Sequence, residues 1–81
     1  MLPNAITNYL QQAAKAARTE MPDRNTSVFE AGLLDLFSLV EFVTLLENEL
    51  GIRVSDTDLQ PETFATIAKI EDYITQAGVA V

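Results

Sequence analysis

Three segments of the chain carry apolar residues at helical spacing, and this repeated pattern limits the fold more than any other feature. Residues three and four apart lie on the same side of an α-helix, so each segment predicts a helix with one buried face. The stripes are Ile6, Tyr9, Leu10, Ala13 and Ala17, then Leu39, Phe42, Val43, Leu46 and Leu50, then Ile67, Ile70, Tyr73 and Ile74. No pair of strand-like segments is evident, so the pattern predicts an all-α fold.

Polar residues and helix breakers predict where the first two helices begin and end. Asn4 is a candidate cap for the first helix, which we expect to end near Glu20 because Pro22 disfavours helical geometry in the residue before it. A loop from Met21 to about Leu34 follows, in which Val28 and Phe29 are expected to contact the core. Asp35 is a candidate N-cap for a second helix from about Leu36 to Leu50, which Gly51 is placed to end.

The last third of the chain predicts one short helix and one longer one. Ser55 can cap a single turn through Leu59, and Pro61 interrupts it. Thr66 then caps the last helix, and Gly78 ends it, with residues 79–81 expected to fray. Residues 1–81 are therefore predicted to form a single domain, a four-helix bundle with three longer helices and one short helix.

The absence of histidine and cysteine excludes several kinds of chemistry. The sequence has neither residue, so a Ser-His-Asp or Cys-His arrangement is impossible, and so are disulfide bonds and thiolate metal sites. We therefore predict a protein that is not an enzyme and has no catalytic residues. No apolar run approaches the length of a membrane span, and the start lacks the features of a signal peptide, so we expect no membrane partner and a cytoplasmic location.

The net charge of −7 is concentrated in the middle of the sequence. Between Asn25 and Ala68 there are eight acidic residues and one basic residue, Arg53, which gives that stretch a charge of −7. Such a field repels nucleic acid and anionic lipid and attracts basic protein surfaces. The alternative interpretation is that the charge serves solubility alone.

One motif carries more specific information. The segment from Gly32 to Phe42 resembles the acyl and peptidyl carrier protein signature G-x-x-D-S-[LF]-x-x-V-E-[LF], and it agrees at Gly32, Asp35, Phe37, Val40, Glu41 and Phe42. The similarity covers roughly Phe29 to Ile74, and the form of the motif is closest to small stand-alone carriers. The resemblance implies an acyl-carrier-protein-like bundle, expected to be monomeric.

The resemblance also implies a cofactor and partners. Such carriers hold an acid as a thioester on a 4′-phosphopantetheine arm, attached to the serine that follows the motif aspartate. The partners implied are a phosphopantetheinyl transferase and the basic surfaces of acyl or aminoacyl ligases, transferases and synthases. The N-terminus of a helix suits a phosphodiester, because its free backbone N–H groups and dipole favour an anion.

The sequence departs from the family at the attachment position itself. Asp35 is followed by Leu36, which has no hydroxyl and cannot accept the arm. Ser38 lies about 200° further around the helix and is better interpreted as a surface serine. Three explanations stay open: a variant or engineered replacement of serine, a natural carrier-like protein that binds carrier partners without an arm, or an error in the sequence or its register.

The outer side of the second helix is a candidate docking surface. Its residues are Phe37, Val40, Glu41, Thr44 and Glu47, an apolar centre with acidic neighbours that suits a basic partner. The alternative is that Phe37 and Val40 pack against the long loop or the short helix.

Two other groups of residues are better interpreted as structural. The acids Asp56, Asp58 and Glu62 lack the spacing of a calcium loop, so we predict a solvated surface and no metal site. Tyr9 and Tyr73 are predicted to be core aromatics with their hydroxyls at the surface.

Overall fold

A computed structural model describes residues 2–78, and the expected fraying of the last three residues lies outside this range. The described chain is helical, with α1 at Asn4–Ala16, α2 at Leu36–Leu50 and α3 at Ile67–Gln76. Between α2 and α3 the predicted turn Ser55–Leu59 is a 3₁₀ turn at Asp56–Asp58, and a second 3₁₀ turn that was not predicted follows at Pro61–Phe64. Residues 2–78 contain no strand, so the all-α prediction is confirmed.

Helix α2 has the bounds and caps that the sequence predicts. The carboxylate of Asp35 accepts hydrogen bonds from the backbone N–H groups of Phe37 and Ser38, at 2.9 and 2.8 Å. At the other end Gly51 adopts a left-handed conformation, with φ 65°, that a residue with a Cβ adopts less readily. Thr66 caps α3 as predicted by accepting from Lys69 N–H, and Gly78 follows the helix with φ 93°.

Both predicted ends of α1 are wrong. Asn4 is the first helical residue, and Pro3 occupies the cap position without any side-chain hydrogen bond to the helix. The helix ends at Ala16, because Arg18 adopts a left-handed φ of 57°. Arg18 N–H then donates to Lys15 C=O and Thr19 N–H to Ala14 C=O, which is the paired hydrogen bonding of a Schellman motif. The helix has therefore stopped several residues before Pro22.

The long loop between α1 and α2 is fastened to the start of α3. Val28 is fully buried, as predicted, and its N–H donates to Ala65 C=O at 2.8 Å. Ala68 N–H donates to Arg24 C=O at 3.1 Å, and the Arg24 guanidinium forms a salt bridge with Glu71 of α3. These contacts fix the loop, and with it the point at which α2 begins.

The core lies where α1, α2 and α3 meet the second 3₁₀ turn. Its fully buried side chains are Ile6, Leu10, Val28, Phe42, Leu46, Phe64, Ile70 and Ile74. The rings of Tyr9, Phe42, Phe64 and Tyr73 form a row in which each contacts the next in tilted or edge-to-face geometry, with ring centroids 5.6, 6.2 and 5.1 Å apart. No helix among residues 2–78 is both long enough and apolar enough to cross a membrane.

Candidate functional site at the start of helix α2

The residue at the predicted attachment position is displayed in solvent. Leu36 is the first residue of α2, immediately after the Asp35 cap, and its side chain is 68% exposed. The position thus lies at a helix N-terminus, where the backbone N–H groups of the next two residues, Phe37 and Ser38, are already bonded to the Asp35 carboxylate. The side chain itself has no nucleophilic atom.

The hydroxyl of Ser38 is engaged in the cap of the helix. It accepts from Asp35 N–H at 3.0 Å and donates to Asp35 Oδ1 at 3.0 Å, which completes a capping box. The sequence interpretation as a simple surface serine missed this role, although the spacing of three residues from the cap could have indicated it. Neither Leu36 nor Ser38 therefore fits covalent attachment of phosphopantetheine in this chain.

The Asp35 carboxylate stays negatively charged at the start of the site. Hydrogen bonds from Ser38 N–H, from the Ser38 hydroxyl and from Phe37 N–H hold the pKa of Asp35 below its usual value, because they stabilise the ionised form. The cap consequently orders the first turn of α2 and places one anionic group beside Leu36 and Phe37.

The centre of the predicted docking surface is exposed. Phe37 is 90% exposed and Val40 is 53% exposed, so neither fills a gap against the loop or the 3₁₀ turns. Thr44 is exposed as well, and its hydroxyl donates to Val40 C=O at 3.0 Å. Leu36, Val40 and Thr44 are four residues apart and form one row along the helix, with Phe37 beside it.

Glu41 is exposed and is held by a residue of α1. The hydroxyl of Tyr9 donates to Glu41 Oε1 at 3.2 Å. Burial, then the charge of Glu41 and this hydrogen bond, raise the pKa of Tyr9 to about 12, so the tyrosine remains a donor at neutral pH. No pattern in the sequence indicated this contact, which joins residues 32 positions apart.

Glu47 is placed differently from the other predicted docking residues. It is half-buried, and its Oε2 accepts the backbone N–H of Val54 at 2.9 Å. Glu47 therefore ties the end of α2 to the link that follows it. This role was missed because the hydrogen bond depends on how the chain turns after Gly51.

Asp58 and Tyr73 belong to the two groups that the sequence analysis interpreted as structural. Tyr73 donates to Asp58 Oδ2 at 2.9 Å, and Ser55 donates to the same oxygen at 3.0 Å. The side chain of Ser55 thus bonds another side chain and not the backbone of the turn that it precedes, which corrects its predicted capping role. Within residues 2–78 no group of three acids lies close enough to hold a metal ion.

Comparisons with known proteins identify the family of the chain. A family model described as a phosphopantetheine attachment site matches residues 4–74. The chain belongs to the phosphopantetheine-binding carrier family. One relative is a D-alanyl carrier protein of Bacillus velezensis, which is 37% identical over 57 residues, 70% of this chain and 70% of the relative. No solved structure matches the chain.

Membership of the family confirms three predictions from the sequence. The resemblance of the segment around Gly32–Phe42 to carrier proteins is confirmed, and so is the helical fold that it implied. Carrier domains are not catalytic, which confirms that this chain is not an enzyme. The family implies 4′-phosphopantetheine as its prosthetic group.

Proposed function

We propose that this chain is a carrier-protein domain that binds, through the outer side of α2, proteins that act on acyl or aminoacyl carriers. The observation that carries the proposal is the exposure of Leu36 directly after the Asp35 cap, at the family's attachment position. With serine at this position the domain would be a carrier that presents an acid on a phosphopantetheine arm. With leucine the chain as written binds partners and receives no arm.

The docking residues that we propose are Leu36, Phe37, Val40, Glu41 and Thr44. All five are exposed on α2, and Glu41 supplies charge at the edge of an apolar centre. Glu47, included in the sequence prediction, is expected to contribute less because its carboxylate is bonded to Val54 N–H. The partners proposed are ligases, transferases or synthases with basic docking surfaces, and a phosphopantetheinyl transferase for a serine-bearing form.

The name of the relative supports an aminoacyl or small acyl cargo in a serine-bearing form, since that protein is called a D-alanyl carrier. The natural identity of position 36 separates the two versions of the proposal. A serine in the native protein would make it a carrier, and a leucine would make it an interaction protein of the carrier fold.

The experiment is to compare the chain with Leu36→Ser in the presence of coenzyme A and a broad-specificity phosphopantetheinyl transferase. Intact-mass measurement should show one arm on Leu36→Ser and none on the chain as written. Leu36→Ala is the matched control, because it shortens the same side chain without adding a hydroxyl. An unmodified Leu36→Ser, in a reaction that modifies another carrier, would contradict the proposed attachment geometry.

A further inference from the structure

The large apolar side chains exposed among residues 2–78 are concentrated in one place. They are Leu36, Phe37 and Val40, all within the first two turns of α2. Single exposed apolar residues are common on protein surfaces, but a contiguous group marks an interaction site. We call these three residues the apolar patch. Leu36 enlarges it at the position where the carrier signature has a small hydroxyl side chain.

The surroundings of the apolar patch are acidic. Residues 25–52 contain five acidic side chains and no basic one. Two of these acids adjoin the patch: Asp35, which is kept ionised by the capping hydrogen bonds, and Glu41, which is held by the Tyr9 hydroxyl. A second copy of the chain would bring another acidic surface against this one, which charge repulsion disfavours. A partner with an apolar pocket and a basic rim complements the patch.

We propose that Leu36 is an anchor residue that enters such a pocket, so that this chain binds a carrier-recognising protein without a covalent arm. The inference rests on the proposed docking through α2. The leucine would gain contact with the partner that serine cannot make, because burial of its side chain removes apolar surface from water. The chain would then compete with serine-bearing carriers for the same protein.

The test is competition for a broad-specificity phosphopantetheinyl transferase. The transferase modifies an unrelated serine-bearing carrier domain, and the chain as written is added as an unmodified competitor. We expect competitive inhibition by the chain, and an inhibition constant about three- to tenfold higher for Leu36→Ala because the buried leucine contact is lost. Leu36 is exposed and outside the core, so circular dichroism should show both proteins equally folded.

A second variant distinguishes binding that needs leucine at position 36 from nonspecific binding through any exposed leucine. Leu36→Ala combined with Gln12→Leu restores the number of leucines and places one on the exposed side of α1. The double variant should inhibit as weakly as Leu36→Ala alone. Recovery of inhibition by Gln12→Leu would overturn the inference, as would equal inhibition by the chain and Leu36→Ala, or none by either. Dimers of the chain that light scattering detects, and that are lost in Leu36→Ala, would also overturn the inference. They would assign the apolar patch to a second copy of the chain.

The outcome of the competition test is independent of whether Leu36→Ser receives a phosphopantetheine arm. Modification of Leu36→Ser, together with equal inhibition by the chain as written and by Leu36→Ala, would reject the anchor alone. Strong inhibition that requires Leu36, with no modification of Leu36→Ser, would reject the attachment geometry alone.

Discussion

At the start of α2 one side chain is exposed to solvent, and two others stabilise the first turn of the helix. Leu36 is displayed, whereas Asp35 and Ser38 bond each other and the backbone and so fix the first turn. The capping box does not use the side chain at position 36. Serine at that position would supply the reactive group of the family, and we expect the capping box to stay unchanged.

Asp35→Ala should lower the thermal stability of the protein by leaving the first N–H groups of α2 without an acceptor. The pKa of Asp35 is lowered in the folded state, so its contribution is present above the ordinary value of 3.8 and is lost as the pH falls through the folded pKa. Melting curves from pH 7 to pH 2 should thus show a difference between the two proteins that narrows below about pH 4. A difference in melting temperature between the two proteins that stays constant at acid pH would contradict a role for the ionised carboxylate.

Glu41→Lys should slow association with a basic partner, because it reverses a charge at the edge of the apolar patch. The effect should shrink as salt rises, since exposed charges are screened over about 8–10 Å at physiological ionic strength. The free energy of unfolding should change by less than about 1 kcal/mol. Phe37→Ala is the comparison: it should weaken binding through lost contact area, nearly independently of salt. Association and dissociation rates of the two variants, measured by stopped flow or surface plasmon resonance at two salt concentrations, test both expectations.

At the scale of elements, Glu47 shows that an acid on the outer part of a helix can hold two segments together. Its hydrogen bond to Val54 N–H fixes the extended link that leads from Gly51 to the first 3₁₀ turn. Glu47 is half-buried, not freely exposed on the outer side of α2, so we expect Glu47→Lys to affect folding. Lysine offers no acceptor for the half-buried N–H of Val54.

Glu47→Lys should lower the free energy of unfolding by about 0.5–1.5 kcal/mol, the usual net contribution of one hydrogen bond, because the N–H of Val54 is only partly buried. Glu47→Gln keeps an acceptor oxygen and should cost less. Urea unfolding of both variants beside Glu41→Lys tests the distinction, because all three change one acid of the same helix. Equal stability of Glu41→Lys and Glu47→Lys would show that the bond to Val54 contributes nothing.

At the scale of the whole molecule, a row of contacting aromatic rings connects the three α-helices and the second 3₁₀ turn. Phe42 and Phe64 are fully buried at its centre, and Tyr9 and Tyr73 end it with hydroxyls bonded to Glu41 and Asp58. The two tyrosines thus combine a packed ring with a polar group near the surface, as the sequence predicted.

Phe64→Ala should lower the free energy of unfolding by about 3–5 kcal/mol, because it removes a buried ring and leaves a cavity. That is a large part of the roughly 4–12 kcal/mol expected for 81 residues. Phe37→Ala is the same chemical change at a 90% exposed position and should cost less than about 0.5 kcal/mol. Thermal and urea denaturation of Phe64→Ala and Phe37→Ala gives the comparison. Similar losses of stability in the two variants would contradict the placement of Phe64 in the core.

The amino-acid sequence by itself determined the helices, most of their caps and the family. These depend on residues close in the chain: the spacing of apolar side chains, Asp35 and Thr66 before their helices, Gly51 after α2. The carrier motif is also a local pattern, and so is the difference at Leu36, where the family signature has serine.

Only the tertiary structure decided which of the polar residues hold the fold together. The early end of α1 depends on Arg18 in a left-handed conformation that favours glycine, which the identity of the residue did not indicate. The bonds from Tyr9 to Glu41 and from Val54 to Glu47 join segments that meet after folding. Exposure of Phe37 and Val40 was likewise undecided, because helical periodicity gives the direction of a side chain but not whether another segment covers it. Long-range hydrogen bonds, and the covering of an outer helix face by another segment, are properties of the packed chain, and local spacing does not encode them.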